Sequence, residues 1–292
     1  MKLLALVLML SVGAAVPEVT AKIKLAANTQ PCAAAAGGRF VWVSEYASPW
    51  LVKIDPKTNK VLGRTQIGVG SCGLGYGAGS LWIEDTNSNT VSRVSVGTGK
   101  RLKAIPVGTQ PYDATFAYGA AWATSNSAGE LDRIDPATNK VVKRFPLGSA
   151  IGVVGAFGSV WATGTQGVIR VDPATNKVLA TIALPSAGWT AAASDAIWVT
   201  NGNGVTRIDP VTNTVVGSVD LKTNALGDPA VVGGMLWVPK IRENRIAVID
   251  PATNAVAQTI KSGVGPFVVT EIAGEAWVPS WKGRDVWRFK PS

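Results

Sequence analysis

Histidine is absent from the 292 residues, cysteine occurs twice and methionine three times. Without imidazole there is no Ser-His-Asp triad, no histidine general base and no ordinary zinc site, because those chemistries need that ring as proton carrier or ligand. Charged residues make up only 16% of the chain against 47% hydrophobic ones, which excludes a disordered polyelectrolyte and leaves ample core material. Helical periodicity is missing, as are a P-loop, a haem-attachment motif and a Rossmann fingerprint. Past the first two dozen residues no apolar run is long enough for a transmembrane helix.

What charge there is leans basic, with 28 Lys and Arg against 19 Asp and Glu, a net +9. The basic residues are scattered singly and form no stripe, so the sequence predicts a solvated basic surface without nucleic-acid binding. An anionic cell-surface polymer remains an alternative partner. At the N-terminus Lys2 precedes the apolar stretch Leu3–Leu10, and small residues follow over Ser11–Ala21. This pattern predicts a signal peptide over residues 1–21, cleaved near Ala14/Ala15 or after Val19-Thr20-Ala21, and a secreted or periplasmic product. No cysteine follows the apolar stretch, so no lipid anchor is expected.

The dominant feature is a repeat. Trp42, Trp82, Trp122, Trp161, Trp198, Trp237 and Trp277 follow one another at intervals of 40, 40, 39, 37, 39 and 40 residues. The phrase D-P-x-T-N stands between them five times, at Asp55–Asn59, Asp135–Asn139, Asp172–Asn176, Asp209–Asn213 and Asp250–Asn254. A period near 40 marks a repeat architecture. In the third copy, Tyr112–Ala117, Ala120–Thr124, Glu130–Ile134 and Lys140–Leu147 are four short apolar or alternating runs separated by turn residues. In the turn phrase Asp accepts backbone hydrogen bonds, Pro presets φ, and Asn tolerates the left-handed conformation. Ser95–Gly99 replaces the phrase in the second copy, with glycine in the Asn role. The prediction is an all-β, seven-bladed propeller of four-stranded blades over residues 22–292, a single domain, with the tryptophans packed between blades. The last copy ends after Asp285–Phe289, one strand short, and Ala21–Leu25 is expected to complete it and close the ring.

In such a ring the loops entering the innermost strands and the turns between second and third strands share one face, around the channel mouth. Candidate ligand-binding residues there are Glu45, Tyr46, Trp50, Glu84, Asp85, Tyr112, Asp113, Trp189, Asp228, Lys240, Arg242, Phe267, Trp281, Lys282 and Arg284. Aromatics beside amides and carboxylates suit a polar ligand, whereas Lys240, Arg242, Lys282 and Arg284 would suit an anion. Glu45, Glu84 and Asp85 could hold Ca²⁺ or Mg²⁺, which prefer oxygen ligands; no other cofactor is expected. Cys32 and Cys72 occupy equivalent positions in consecutive copies, with Cα atoms expected about 7 Å apart, at the edge of disulfide reach. In an exported protein they are expected to pair; the alternative is two free thiols at a redox or soft-metal site.

Repeats reading I-D-P-x-T-N-x-V, then G-x-x-P, then G-x-x-W-V, as over Val248–Val256, Gly263–Pro266 and Gly274–Val278, resemble the bacterial YVTN-type and virginiamycin B lyase-like propellers. The resemblance spans the chain beyond the leader and implies the same seven-bladed fold. It also implies histidines and carboxylates at the channel mouth with a magnesium ion; Tyr112 and Glu45 match two of the lyase positions, and the histidines have no counterpart. The expected function is a secreted, non-catalytic, monomeric propeller binding a small molecule or protein at its channel mouth. A lyase- or hydrolase-type enzyme, or a structural envelope protein contacting anionic polymers, are the alternatives.

Overall fold

The computed structural model describes residues 16–193 and 195–292; the expected leader up to residue 15 lies outside them. Short runs of apolar and β-branched residues, punctuated by turn chemistry every five to eight positions, form strands and almost nothing else. In the third copy these strands are Pro111–Ala117, Ala120–Ser125, Glu130–Asp135 and Lys140–Pro146. The D-P-x-T-N turn works as its chemistry dictates. The Asp135 carboxylate accepts the Ala137 N–H at 3.0 Å and the Thr138 hydroxyl at 2.7 Å. Asn139 takes a φ of 55°, and its N–H donates to the Asp135 carbonyl. Asn59, Asn176, Asn213 and Asn254 adopt the same left-handed backbone, and Gly99 does so in the second copy.

Seven four-stranded antiparallel sheets result, and in six of them the strand order follows the chain. The seventh combines Thr270–Ile272, Glu275–Pro279 and Asp285–Lys290 with the N-terminal strand Glu18–Lys24. That closing strand begins three residues ahead of the expected Ala21, with Glu18 opposite Lys290 and Lys24 opposite Asp285. Ile23 and Val286 then pack with Trp277 against Val41, Val43 and Ile54 of the first blade.

All seven repeat tryptophans are at most 1% exposed. Five of them donate their indole N–H to the carbonyl five residues earlier, for example Trp122 to Ala117 at 3.2 Å. Each one spans the gap to a neighbouring blade, where its large apolar area is removed from water. Above the indole lies a cation two residues before the turn phrase, such as Arg133 over Trp122 and Arg170 over Trp161. These arginines also reach across to the turn of the next blade. Arg93 bonds Pro136 O and Asn139, Arg133 bonds Asn176, Arg170 bonds Pro210 O and Asn213, and Arg288 bonds Pro56 O and Asn59. The turn asparagine therefore serves its own hairpin and the previous blade at once. Where the next blade lacks that asparagine the arginine is missing too. Lys53 faces the Ser95–Gly99 turn, and Val248 faces the seventh blade, which has no such turn. The joint between blades five and six departs from the pattern. There Arg207 pairs with Asp195, and Asn254 Oδ1, Arg207 Nε and Trp198 Nε1 are buried with no hydrogen-bond partner among the described residues.

Candidate functional site

Backbone hydrogen bonds fasten the turns between second and third strands to the segments entering the inner strands. Tyr46 N–H donates to Gln30 O, Thr86 to Gly70 O, Asn126 to Gln110 O, Ile241 to Ala225 O and Trp281 to Gly265 O. The two loop sets thus form one rigid face around the channel mouth, as expected.

On that face five aromatic rings form a chain. Tyr46 lies 4.7 Å from Trp281, Trp281 5.3 Å from Phe267, Phe267 5.3 Å from Trp189, and Trp189 5.6 Å from Tyr112, measured between centroids. The Tyr46 pKa is raised by burial first, then by Tyr112 and Glu84, which line the same cavity. The rings come from blades one, three, five and seven and enclose, with Cys72, Glu84 and Thr86, a cup of about 180 Å³. Beneath Tyr46, Phe267 and Trp281 lies the disulfide Cys32–Cys72. Its Cα atoms are 5.0 Å apart, closer than the sequence-based expectation and within the usual disulfide range.

Glu84 stands at a position that carries a hydroxyl in four other blades and proline, Pro239 and Pro279, in blades six and seven. Two residues after the repeat tryptophan stand Ser44, Thr124, Thr163 and Thr200, whose hydroxyls accept an N–H from their own inner strand. In blade two the longer Glu84 does this instead, taking the N–H groups of Cys72 at 2.8 Å and Gly73 at 2.9 Å on Oε1. Its Oε2 lies 2.9 Å from the Thr86 hydroxyl, which is also 2.8 Å from the Pro111 carbonyl. A hydroxyl has one proton, and a carbonyl can only accept. Both contacts are satisfied when Glu84 is protonated and donates to Thr86, which donates to Pro111. Burial pushes the Glu84 pKa well above the usual range, outweighing the opposing hydrogen bonds.

Asp113 and Asp228 lie one residue deeper than the ring, in a second cavity of about 260 Å³ lined by Ala33–Ala36 and other inner-strand residues. Asp113 accepts the N–H groups of Ala114 at 2.8 Å and Val153 at 2.9 Å, and burial pushes its pKa up to about 6. Asp228 is held by its backbone, bonding Phe267 O and Val269 N, in a parallel bridge between blades six and seven. That close approach requires Gly227, since a Cβ there would overlap the Phe267 carbonyl. The Asp228 side chain forms no hydrogen bond with the described residues. Its pKa is pushed far up by burial and then by the Asp113 charge. It is half-buried by area and lines the channel cavity.

The remaining candidates fall elsewhere. Glu45 is fully buried, accepts the Ser48 hydroxyl at 2.7 Å and lies 3.9 Å from Arg64. Asp85 points away from Glu84 and is saturated by Ser71, Thr90, Ser92 and Gly68 N–H. Glu45, Glu84 and Asp85 do not converge, and among the described residues no three His, Cys, Asp or Glu side chains do. Trp50 begins a strand opposite Gln66 and is not part of the cup, because Pro49 already ends the turn. The four basic residues have different surroundings. Lys282 and Arg284 share a recess with Asn28 and Gln30, whereas Lys240 pairs with Glu243 and Arg242 with Asn224. Thr86 was not among the sequence candidates. Its signal is faint, a lone threonine just after the strand that carries Glu84.

A second groove of about 590 Å³ shares Tyr112, Trp189 and Phe267 with the cup and continues past Asn201, Asn203 and Asn224. Among the described residues no helix is long and apolar enough to cross a membrane.

A family described as a repeat of unknown function (DUF6923) matches residues 65–180, less than half the chain, and no YVTN-type or lyase-like family is matched. No curated protein sequence matches it. Hydrazine synthase of Kuenenia stuttgartiensis superposes with a TM-score of 0.77 at 14% identity, over 92% of this chain and 97% of that one. BamB from Moraxella catarrhalis superposes with a TM-score of 0.69 at 13% identity, over 94% of this chain and 98% of that one. At such identities the likeness is one of architecture, and the chain is a seven-bladed β-propeller with those two as structural neighbours.

Proposed function

We propose that this protein is an exported binding propeller that holds a small ligand in the aromatic cup without converting it chemically. The observation that carries this reading is the gathering of Tyr46, Tyr112, Trp189, Phe267 and Trp281, from three different positions of the repeat, around one cavity. Concave sites lined by aromatics with a few fixed polar groups are the usual form of small-molecule pockets. A non-catalytic role is favoured by Glu84, whose oxygens are occupied by its own hydrogen bonds, and by the lack of any imidazole. The groove along Asn201, Asn203 and Asn224 offers room for a polar extension of the ligand. The reading requires no cofactor. A polymer-binding envelope role is less favoured, because Arg93, Arg133, Arg170 and Arg288 are engaged between blades.

Export accords with the disulfide, which persists in oxidising compartments. Cleavage near Ala14/Ala15 goes with this reading better than cleavage after Ala21, because Glu18–Ala21 pair with Arg288–Lys290.

The test is a thermal-shift screen of small molecules on the processed protein, followed by tryptophan fluorescence. A ligand at one hundred times its Kd stabilises by about 2.7 kcal/mol. Hits should lose their effect in Trp189→Ala and Trp281→Ala. Binding that persists unchanged in both variants, or no hit from a broad library, overturns the proposal.

A further inference from the structure

Resting on the cup as a ligand site, we infer that the group it receives is an organic cation, a quaternary or tertiary ammonium held against the ring faces with Asp113 and Asp228 as counter-charge below. Four observations converge on this chemistry. First, the rings surround the cavity from four blades, and the negative π-faces of aromatic rings attract a cation without hydrogen bonds. Second, the polar groups of the cup are already used. Glu84 accepts the Cys72 and Gly73 N–H groups, and Thr86 serves Glu84 and Pro111. A sugar, which needs many free donors and acceptors, finds little beyond two tyrosine hydroxyls.

Third, no lysine or arginine lines the cup or the cavity beneath it, in a protein with 28 of them. By contrast the buried carboxylate of Asp132 has Arg144 beside it, and that of Asp85 has three hydroxyls. Fourth, the Asp228 side chain has no hydrogen-bond donor among the described residues, and it shares its cavity with the Asp113 carboxylate. A cation in the cup would supply the missing positive charge. A volume of about 180 Å³ accommodates a trimethylammonium group and little more.

The experiment compares choline and tetramethylammonium with 3,3-dimethylbutan-1-ol, the uncharged carbon isostere of choline, by calorimetry and tryptophan fluorescence at matched ionic strength. The cations are expected to bind at least ten-fold more tightly than the isostere. Asp228→Asn should weaken the cations at least five-fold and leave the isostere unaffected. Trp189→Leu should weaken all three. Circular dichroism melts confirm that each variant is folded, and Asp228→Asn serves if Trp189→Leu is not. Equal affinity for choline and its isostere overturns the inference while leaving the cup as a binding site for a neutral ligand. Absence of cation binding with hits from the wider screen has the same meaning. Absence of both overturns the inference and the proposed function together.

Discussion

The outer rim and the channel mouth are built from the same seven copies, and they use the repeat in opposite ways. At the rim four of the seven joints agree. Four arginines lie over or beside repeat indoles and bond the turn asparagine of the following blade, and the two blades facing no asparagine have no arginine. At the mouth the equivalent positions hold cysteine, tyrosine, isoleucine, glycine and phenylalanine, and the residue after next to the tryptophan changes from hydroxyl to glutamate only in blade two. Agreement at the rim is what closing a ring demands, since each joint meets the same geometric problem. Divergence at the mouth breaks the sevenfold symmetry, which a small asymmetric ligand requires.

The comparison can be broken most forcefully at the indoles. Trp122→Ala should cost about 3–5 kcal/mol, measured as a lower urea midpoint, whereas Trp189→Ala should cost clearly less because it borders a cavity. Equal losses would erase the distinction between core and mouth. Next in size is the disulfide. Replacing both Cys32 and Cys72 by Ala removes a cross-link over 40 residues and should cost about 2–4 kcal/mol. It should also weaken ligand binding, since Cys72 lines the cup; unchanged affinity would separate brace from site.

Acidity sharpens the contrast further. Asp113 and Asp228 have folded-state pKa values above the unfolded ones, so the unfolded chain ionises first as pH rises. Stability should therefore be highest at or below about pH 4 as far as this pair is concerned, and fall on the order of 1–3 kcal/mol as pH rises through about 6. Asp228→Asn should flatten that slope and raise the urea midpoint at pH 7–8. A profile unchanged by the substitution would show that the pair does not carry the penalty. The smallest effect tests the rim against itself. Arg170→Ala should cost about 1–2 kcal/mol, and Arg207→Ala less than about 0.5 kcal/mol, because only the former bridges to the next blade's asparagine.

The ring was legible from the sequence because its causes are local and repeated. Trp122 with its neighbours, and the Asp135–Asn139 turn, announce strand and hairpin within a few residues. The joint between Arg133 and Asn176 was hidden, since it links two repeats through side chains 43 residues apart. Its trace was nonetheless present in Lys53 and Val248, the two blades without arginine. The aromatic cup was half legible. Tyr112, Trp189 and Phe267 stood out by position, but Trp50 shares their composition and sits on a strand instead. The grouping of Asp113 with Asp228 depends on which blades face each other across the channel, and composition carries no such information. The partners of Lys240 and Arg242 were hidden for a similar reason, because Glu243 and Asn224 are distinguished from other polar residues only by the fold.

The seventh blade carries a consequence for the order of folding. Its sheet joins Glu18–Lys24 to Asp285–Lys290, so the final pairing brings together segments separated by nearly the whole chain. Loop-closure entropy grows slowly with length, but it must be met before these contacts return any stability. During synthesis the first strand has no partner until the last one emerges, and six blades can assemble while the ring is still open. The first strand thus remains unpaired until Asp285–Lys290 has been made. Completion of the circle then reports that the whole chain has arrived.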